Sequence, residues 1–482
     1  NGSALWPPTR FARVPPTPPP GVPAAFADTA DDTPTDRPRP HGIGGWAKGD
    51  AAVYLYDQFD IWRVSPEAGR PERLPRGTTD SVVHRLAVTS PDQRAFDPAQ
   101  PIFVALRGEW SEKRGYAVLA RNRPVERLIF EDRMVGSLAR ADSADRYFYR
   151  TESRTVSPNY VAAGPMLSNP RTISSTNPFL ADYAWTRSEL FDFKNETGRE
   201  LQGILLYPAN YDPSKQYPMI VYTYELLSNQ LHFFQPPSER SYYNFTAWTQ
   251  HGYFVMLPDI VFRHRDPGVS VLETLRPAVG AVTARLPIDP KRVGLIGHSW
   301  GGYTATFIPT RTNLFAASVA GAPLTDFVSM MGQIHWSQGL PEVGHWETGQ
   351  ARMAVPYWED PEAHHRNSPV HRVQDMETPL LMAHGNKDGV VEFFQATEFY
   401  NFARRAGKQM VLLVYEDEDH GFVKKPNQID YHRRILEWFG HYLKGEPAPA
   451  WITKGVALEH LDTEKGRVAG ANQPATKAPS NR

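Results

Sequence analysis

Between residues 186 and 447, short apolar runs alternate regularly with longer amphipathic segments. Runs of this kind are typical of buried strands, and the longer segments are typical of helices. The predicted strands are 219–223, 253–257, 293–296, 316–320, 380–383 and 411–415, and the predicted helices are 271–284, 302–309, 393–406 and 430–443. Strands that alternate with helices predict a doubly wound, mostly parallel α/β sheet.

The region before residue 186 shows a different pattern, in which short alternating segments come in pairs. Residues 46–57 and 60–64 predict two strands around a turn, and the same theme returns at 102–106 with 116–119 and at 147–149 with 159–161. A repeat of roughly forty to fifty residues is typical of propeller blades. We therefore predict about three blades of a partial β-propeller in residues 45–185. Because a closed ring needs roughly four to eight blades, we expect sequence upstream, or a separate fragment, to supply the rest.

The two ends of the chain are rich in proline and small polar residues. Proline lacks the amide hydrogen that helices and sheets use, so residues 1–44 are predicted to form an extended linker or a long surface loop. Residues 448–482 are predicted to form a disordered tail. With the partial propeller at 45–185 and the α/β domain at 186–447, these ranges complete the predicted domain order.

One predicted strand runs into a glycine-rich turn that carries a serine. Residues 293–303 read V-G-L-I-G-H-S-W-G-G-Y, with Gly297 and Gly301 flanking Ser299 and a predicted helix behind them. A serine on such a strand-to-helix turn sits in a strained backbone that exposes its hydroxyl, and the glycines let the strand and the helix approach each other. A bare G-x-S-x-G also fits an ordinary turn, but this context predicts Ser299 to be a nucleophile.

A serine hydroxyl needs a base to remove its proton and a carboxylate to orient that base. In folds with this turn, the chain order is Ser, then Asp or Glu, then His. Asp388 follows the predicted strand 380–383 in a glycine-containing turn, and His420 follows the predicted strand 411–415. These two residues are therefore the predicted acid and base.

Other histidines and carboxylates compete for these roles. His298 and His384 stand at strand ends, where a histidine is more often a hydrogen-bonded structural residue. The acidic run 416–419 offers other carboxylates, which we interpret as a solvated turn because residues next to His420 rarely reach its Nδ1 atom in line. Three further histidines precede Asp388, in the wrong order for this fold: His364, His365 and His371.

Taken together, these blocks resemble the catalytic domain of the prolyl oligopeptidase family of serine peptidases. The similarity covers about residues 177–445 and includes the segment 177–218 and the blocks around Ser299, Asp388 and His420. The resemblance implies a propeller in front of an α/β-hydrolase domain and a catalytic triad made of these three residues. It implies neither a cofactor nor a metal.

The same resemblance implies where an oxyanion hole would lie. One donor would be the backbone N–H of Trp300, the residue after the nucleophile, and the other would be the hydroxyl of Tyr224. The sequence departs from the family directly after Tyr224, because residues 225–227 read E-L-L where relatives tend to have glycines. Tyr222 therefore stays an alternative donor.

An aromatic-containing insertion between residues 326 and 353 stands where family members line the pocket for the P1 side chain. By resemblance, Trp336 and Val391 are predicted to bind substrate, with Trp336 stacking on a P1 proline ring. A tryptophan buried in a lid or in helix packing is an equal interpretation. The resemblance implies hydrolysis of peptide bonds in short peptides. A carboxylesterase of the same fold and a non-catalytic binding protein are the alternatives.

Composition restricts the partners and the compartment. The chain has 482 residues, more than one hydrophobic core usually supports, so at least two domains are expected. A net charge of −1 provides no field for nucleic acid, and no apolar run reaches the length of a bilayer span. The sequence contains no cysteine, which rules out disulfides and fits cytoplasm, periplasm or secretion alike. An oligomer is compatible with all of these features.

Overall fold

The computed structural model describes residues 26–66, 71–120 and 124–470. The chain divides into two compact units. Of the described residues, the first contains 26–31 and those between Thr35 and Pro178, and the second contains Asp32–Pro34 and 179–470. The domain boundaries that we predicted from the sequence remain predictions.

The described part of the first unit contains three four-stranded antiparallel sheets, each built from strands that are consecutive in the chain. The first sheet consists of Ile43–Trp46, Val53–Tyr56, Ile61–Val64 and Glu72–Arg73. The second consists of Val82–Leu86, Ile102–Gly108, Arg114–Leu119 and Glu126–Glu131. The third consists of Met134–Arg140, Tyr147–Ser153, Val156–Ala163 and Arg171–Thr172. This arrangement confirms the predicted partial propeller.

The three sheets pack face to face through the two sides of the middle sheet. Val104 and Leu106 belong to an apolar cluster shared with the first sheet, whereas Phe103 and Tyr116 belong to a cluster shared with the third. Successive residues of a strand point to opposite faces, so the alternation of apolar residues along 102–106 lets one strand serve both clusters. This is how blades of a propeller bury their faces.

The second unit is built on one eight-stranded sheet. Its two outer strands at one edge are antiparallel, and the remaining six are mutually parallel. In sheet order the strands are Ser188–Lys194, Glu200–Leu206, Phe254–Pro258, Tyr217–Tyr222, Ile288–His298, Ala317–Gly321, Leu380–Gly385 and Met410–Tyr415. The six parallel strands are the six predicted from the sequence, which confirms the mostly parallel sheet of an α/β-hydrolase.

Helices cover both faces of this sheet, so the predicted doubly wound architecture is confirmed. One apolar cluster joins the sheet to the helices around Val271, Tyr303 and Phe399, and another joins it to those around Trp248 and Trp438. The α-helices are Phe245–Gln250, Pro267–Thr283, Trp300–Phe307, Phe327–Met331, Val343–Glu347, Pro361–Asn367, Phe394–Arg405, Lys425–Lys444, Ala450–Thr453 and Leu461–Gly470. Short 3-10 segments are Lys48–Asp50, Gly77–Thr79, Pro165–Leu167, Pro178–Asp182, Ser228–Gln230, Ile308–Thr310, Pro369–Asp375 and Leu458–His460.

Within the range predicted to be a disordered tail, the structure has three helical segments, Ala450–Thr453, Leu458–His460 and Leu461–Gly470. Trp451 is buried, stacks on Trp438 and donates its indole N–H to Glu437. Arg434 pairs with Glu464 of the last helix. These long-range contacts stabilise a segment whose local composition is that of a loop. Residues 471–482 lie outside the described residues.

The proline-rich beginning also lies largely outside the described residues, which start at Phe26. Within residues 26–44, a single bridge joins Ala27 to Pro40, and Asp32 accepts hydrogen bonds from Arg352 and from the backbone N–H of Phe262. Among the described helices, none has both the length and the apolar character needed to cross a membrane.

Candidate active site

Ser299 occupies the sharp turn between the strand Ile288–His298 and the helix Trp300–Phe307. Its backbone has φ +58° and ψ −118°, a conformation that residues other than glycine rarely adopt. The Ser299 N–H donates to the carbonyl of Gly321 on the neighbouring strand at 2.9 Å. This hydrogen bond helps to keep Ser299 in its strained backbone conformation. Strained backbone of this kind is concentrated at functional sites.

The glycines of the turn are required by space. A Cβ atom on Gly297 would collide with the backbone of Gly301, and one on Gly301 would collide with the carbonyl of Thr223. Gly302 likewise faces the backbone of Gly321. The close approach of strand and helix that the sequence motif predicts is therefore present.

His420 and Asp388 meet although they are 32 residues apart in the chain. Nδ1 of His420 lies 2.9 Å from Oδ2 of Asp388. The other carboxylate oxygen, Oδ1, accepts the backbone N–H groups of Val390 and Val391 at 2.9 Å each. The carboxylate is buried and the imidazole is 20% exposed. One carboxylate oxygen is thus fixed by the loop, and the other is directed at the imidazole.

The charge of Asp388 is set by opposing effects. Burial raises the pKa of this carboxyl, but hydrogen bonds from His384 and His420 lower it and prevail, so the pKa lies well below its usual range. Nε2 of His384 is 3.1 Å from Oδ2 of Asp388 and also donates to the carbonyl of Val391 at 2.9 Å. His384 therefore has a structural, hydrogen-bonded role, as we interpreted it.

The acidic run before His420 is only partly the solvated turn that we expected. Glu418 is buried and accepts the backbone N–H groups of Val423 and Lys424, so the interpretation is wrong for this residue. Asp419 accepts the N–H groups of Gly389 and His420 through a single oxygen. Asp419 therefore connects the loop that carries His420 to the loop that carries Asp388. The carboxylate that contacts the imidazole is that of Asp388.

His298 packs behind the site as a neutral side chain. Its ring centroid is 4.9 Å from that of His420, and its Nδ1 lies 3.2 Å from the hydroxyl of Tyr243. Burial, with a smaller effect from His420, lowers the pKa of His298 to about 3. A second positive charge next to the base is thereby avoided.

The two predicted oxyanion donors lie at the same turn. Trp300 is the first residue of its helix, and the first N–H groups of a helix have no partner in the helix itself. The ring of Tyr224 lies 3.3 Å from the place that a Cβ on Gly301 would occupy. Tyr222 packs instead against Tyr243 and Phe245, and burial raises its pKa well above the usual value.

Glu225 is the residue at which the sequence departs from the family's glycines. Its Oε1 accepts hydrogen bonds from Nη1 of Arg352 at 3.2 Å and from Nε2 of Gln350 at 3.0 Å. Arg352 is also held by Asp32 and lies over the ring of Phe262. Sequence reasoning missed this network because Arg352 stands 127 residues after Glu225 and belongs to no motif.

A pocket opens beside Ser299 and Trp300. Its apolar wall includes Val391 together with Leu324, Met330, Trp346, Ala351 and Val390. Its polar residues are Glu342, His345 and Gln350. Trp336, the other predicted substrate contact, is not among these residues: it is 62% exposed and donates its indole N–H to Glu392 at 3.0 Å. The insertion thus contributes Trp346 to the pocket instead of Trp336.

Within the described residues, no group of three or more histidine, aspartate, glutamate or cysteine side chains is placed to hold a metal ion. Three of the competing histidines lie in the helical segments Pro361–Asn367 and Pro369–Asp375. His364 is buried and hydrogen-bonded to the carbonyl of Asp360, and His365 packs against His371.

Comparison with known proteins identifies a family domain within the chain. Residues 264–446 match the profile of the Prolyl oligopeptidase family. The uncharacterized peptidase YuxL of Bacillus subtilis is 24% identical over 311 residues, which are 62% of this chain and 46% of YuxL. Dipeptidyl-peptidase 5 of Porphyromonas gingivalis is 24% identical over 307 residues, which are 59% of this chain and 41% of the relative. The chain thus spans about half the length of the curated relatives it matches, or less.

A solved structure shares the fold of this chain. The apo form of AtxE2 isopeptidase superimposes with a TM-score of 0.66 at 17% identity, covering 89% of this chain and 65% of that one. The family match falls within the second compact unit, on the segment that carries the serine turn and the Asp388–His420 pair. Residues 264–446 therefore form a domain of the prolyl oligopeptidase family.

Proposed function

We propose that this protein is a serine peptidase that hydrolyses peptide bonds of short peptides, with Ser299 as nucleophile, His420 as base and Asp388 as the orienting acid. The observation that carries the proposal is the 2.9 Å contact between Nδ1 of His420 and Asp388 in a chain whose Ser299 occupies a strained strand-to-helix turn. Membership of a family with named peptidases supports the choice of substrate class.

The first half of the reaction forms a covalent bond to Ser299. Its Oγ attacks the carbonyl carbon of the scissile bond while Nε2 of His420 takes the hydroxyl proton. Asp388, charged because its pKa is depressed, accepts the hydrogen bond from Nδ1 and holds the tautomer whose Nε2 is free to receive a proton. It also stabilises the imidazolium that forms.

The carbonyl oxygen becomes negatively charged in the tetrahedral intermediate. The N–H of Trp300 and the hydroxyl of Tyr224 are the proposed donors to this oxygen. When the intermediate collapses, the C–N bond breaks, His420 gives its proton to the leaving amine, and the acyl group stays on Ser299. Water then attacks the ester, again with His420 as base, and releases the acid and the free serine hydroxyl.

The test is covalent labelling with a fluorophosphonate, followed by cleavage of a short-peptide library read by mass spectrometry. We expect labelling and cleavage in the natural protein and neither in Ser299→Ala, whose far-ultraviolet circular dichroism and melting temperature should match those of the natural protein. Comparing an amide with an ester of the same acyl group separates a peptidase from an esterase. Labelling without any amide cleavage contradicts the peptidase proposal, and the absence of labelling contradicts the nucleophile.

A further inference from the structure

The pocket beside Ser299 contains a carboxylate that the proposed mechanism does not use. Glu342 directly precedes the helix Val343–Glu347 and is 1% exposed. Its Oε2 lies 2.9 Å from Nδ1 of His345. Its Oε1 is buried and has no hydrogen-bond partner among the described residues. The pocket therefore contains one carboxylate oxygen that is removed from water and not hydrogen-bonded.

Burying such an oxygen costs free energy unless a hydrogen-bond donor or a cation binds to it. A buried carboxylate loses its hydration, and only hydrogen bonds or an opposite charge compensate for the loss. The apolar residues that line the pocket with Glu342 carry no positive charge: Leu324, Met330, Trp346, Ala351, Val390 and Val391. They offer no cation to Oε1.

The charged residues close to the pocket are engaged elsewhere. Arg352 follows the pocket residue Ala351, but its guanidinium bonds to Asp32 and Glu225. His345 contacts only the other oxygen of Glu342, and 43% of its side chain is exposed to solvent. Among the described residues, Oε1 of Glu342 thus has no hydrogen bond to a positively charged side chain.

The position of the pocket indicates which part of a substrate it would hold. Ser299 and Trp300 line it, whereas His420, which would give a proton to the leaving amine, is not among its described lining residues. A group bound here would therefore belong to the acyl side of the scissile bond, next to the carbonyl carbon. That group is the P1 side chain.

We infer that this pocket selects a P1 side chain with an apolar stem and a positively charged end, as in lysine or arginine. The inference rests on the proposed peptidase function and specifies its substrate class. The apolar wall packs against the methylene stem, and the ammonium or guanidinium group donates to Oε1 of Glu342. A charged hydrogen bond in a site removed from water is stronger than one between neutral groups. A proline ring carries no donor and would leave the oxygen uncompensated.

The direct test compares substrates that differ only at the end of the P1 side chain. N-acetyl-dipeptide amides of aminomethylcoumarin with lysine or norleucine at P1 have stems of similar length, and only lysine carries the charge. We expect kcat/KM for lysine to exceed that for norleucine on the order of 10- to 100-fold, the range of a hydrogen bond to a charged group. An equal or larger value for norleucine in the natural protein overturns the inference.

Two variants assign the preference to Glu342. In Glu342→Gln the ratio of lysine to norleucine should fall to within about threefold of one, because the charge is lost with little change in shape. Glu347→Gln makes the same chemical change on the same helix at a residue outside the pocket lining, and it should keep the natural ratio. A ratio unchanged by Glu342→Gln overturns the assignment. A preference for lysine that requires a free peptide amino terminus also overturns it, because the ammonium bound would then be the α-amine.

Binding measurements separate this inference from the proposed function. In Ser299→Ala, which has no nucleophile, calorimetry should show that N-acetyl-lysine methylamide binds more tightly than N-acetyl-norleucine methylamide by about tenfold or more. Tighter binding of lysine without fluorophosphonate labelling of the natural protein supports the pocket and rejects the peptidase. Labelling and peptide cleavage without any lysine preference support the peptidase and reject the inference.

Discussion

Asp388→Asn tests the centre of the proposed mechanism with almost no change in volume. The asparagine carbonyl can still accept the N–H groups of Val390 and Val391 that Oδ1 now accepts. Its NH2 group then takes the place of Oδ2 and points at Nδ1 of His420. A donor at this position requires Nδ1 to accept, so the proton moves to Nε2, the atom that must take the proton of Ser299.

The loss of the correct tautomer typically lowers kcat by about four orders of magnitude, which corresponds to about 5.4 kcal/mol of transition-state stabilisation. The matched control is Asp419→Asn. Asp419 accepts two backbone N–H groups from the loops of Gly389 and His420, and an amide carbonyl can replace it as acceptor. We therefore expect Asp419→Asn to lower kcat by less than about tenfold.

The assay is steady-state cleavage of one amide substrate, with kcat referred to the fraction of protein that a fluorophosphonate labels. The melting temperatures of both variants should be measured in parallel, because a folding defect would lower the active fraction and not kcat. A kcat for Asp388→Asn within tenfold of the natural value, or a larger loss in Asp419→Asn, would refute the assignment of the acid to Asp388.

Three further predictions concern the oxyanion site, the serine turn and pH. Tyr224→Phe should lower kcat by about ten- to a thousandfold with little change in KM, and Tyr222→Phe should be nearly silent; the reverse ranking in steady-state kinetics would move the donor to Tyr222. Gly301→Ala, which forces a Cβ into backbone, should lower the unfolding free energy by about 1–3 kcal/mol, whereas Gly280→Ala, with open space around it, should be neutral or stabilising in the same denaturation assay. Because the folded pKa of Asp388 is depressed, its charge contributes stability above about pH 4 that is lost as the pH falls through the folded pKa. The difference in melting temperature between the natural protein and Asp388→Asn should not decrease from pH 8 to 5 and should decrease below pH 4; a decrease between pH 8 and 5 would contradict this.

The sequence by itself determined the parallel strands and the order of the reactive residues. Each of the six parallel strands lies where a short apolar run predicted it, because burial on both faces of a sheet demands a continuous apolar segment. The serine turn was equally predictable, because only glycine at positions 297 and 301 lets the strand and the helix approach this closely. The strands and the serine turn depend on residues that are close together in the chain, so local sequence patterns predict them.

Only the tertiary structure decided which of several suitable side chains meet. The sequence offered both Asp388 and Asp419 as carboxylate partners for His420. The fold directs Asp388 at the imidazole and Asp419 at two backbone N–H groups. The same holds for the insertion, where Trp336 is exposed to solvent and Trp346 lines the pocket. Composition alone does not distinguish two tryptophans ten residues apart. Trp336 lies in the turn between the paired strands Ile334–His335 and Leu340–Pro341, whereas Trp346 lies in the helix Val343–Glu347.

The polar interior was the least predictable part of the protein. Glu342 reads as an ordinary surface residue, and Glu225 reads as a departure from a family pattern, yet the first is buried in the pocket and the second binds Arg352. The helices after residue 450 belong to the same group, because Trp451 and Glu464 find partners on a preceding helix. Contacts between residues far apart in the chain leave no periodic signal, so only the folded chain reveals where a charge is buried and what it faces.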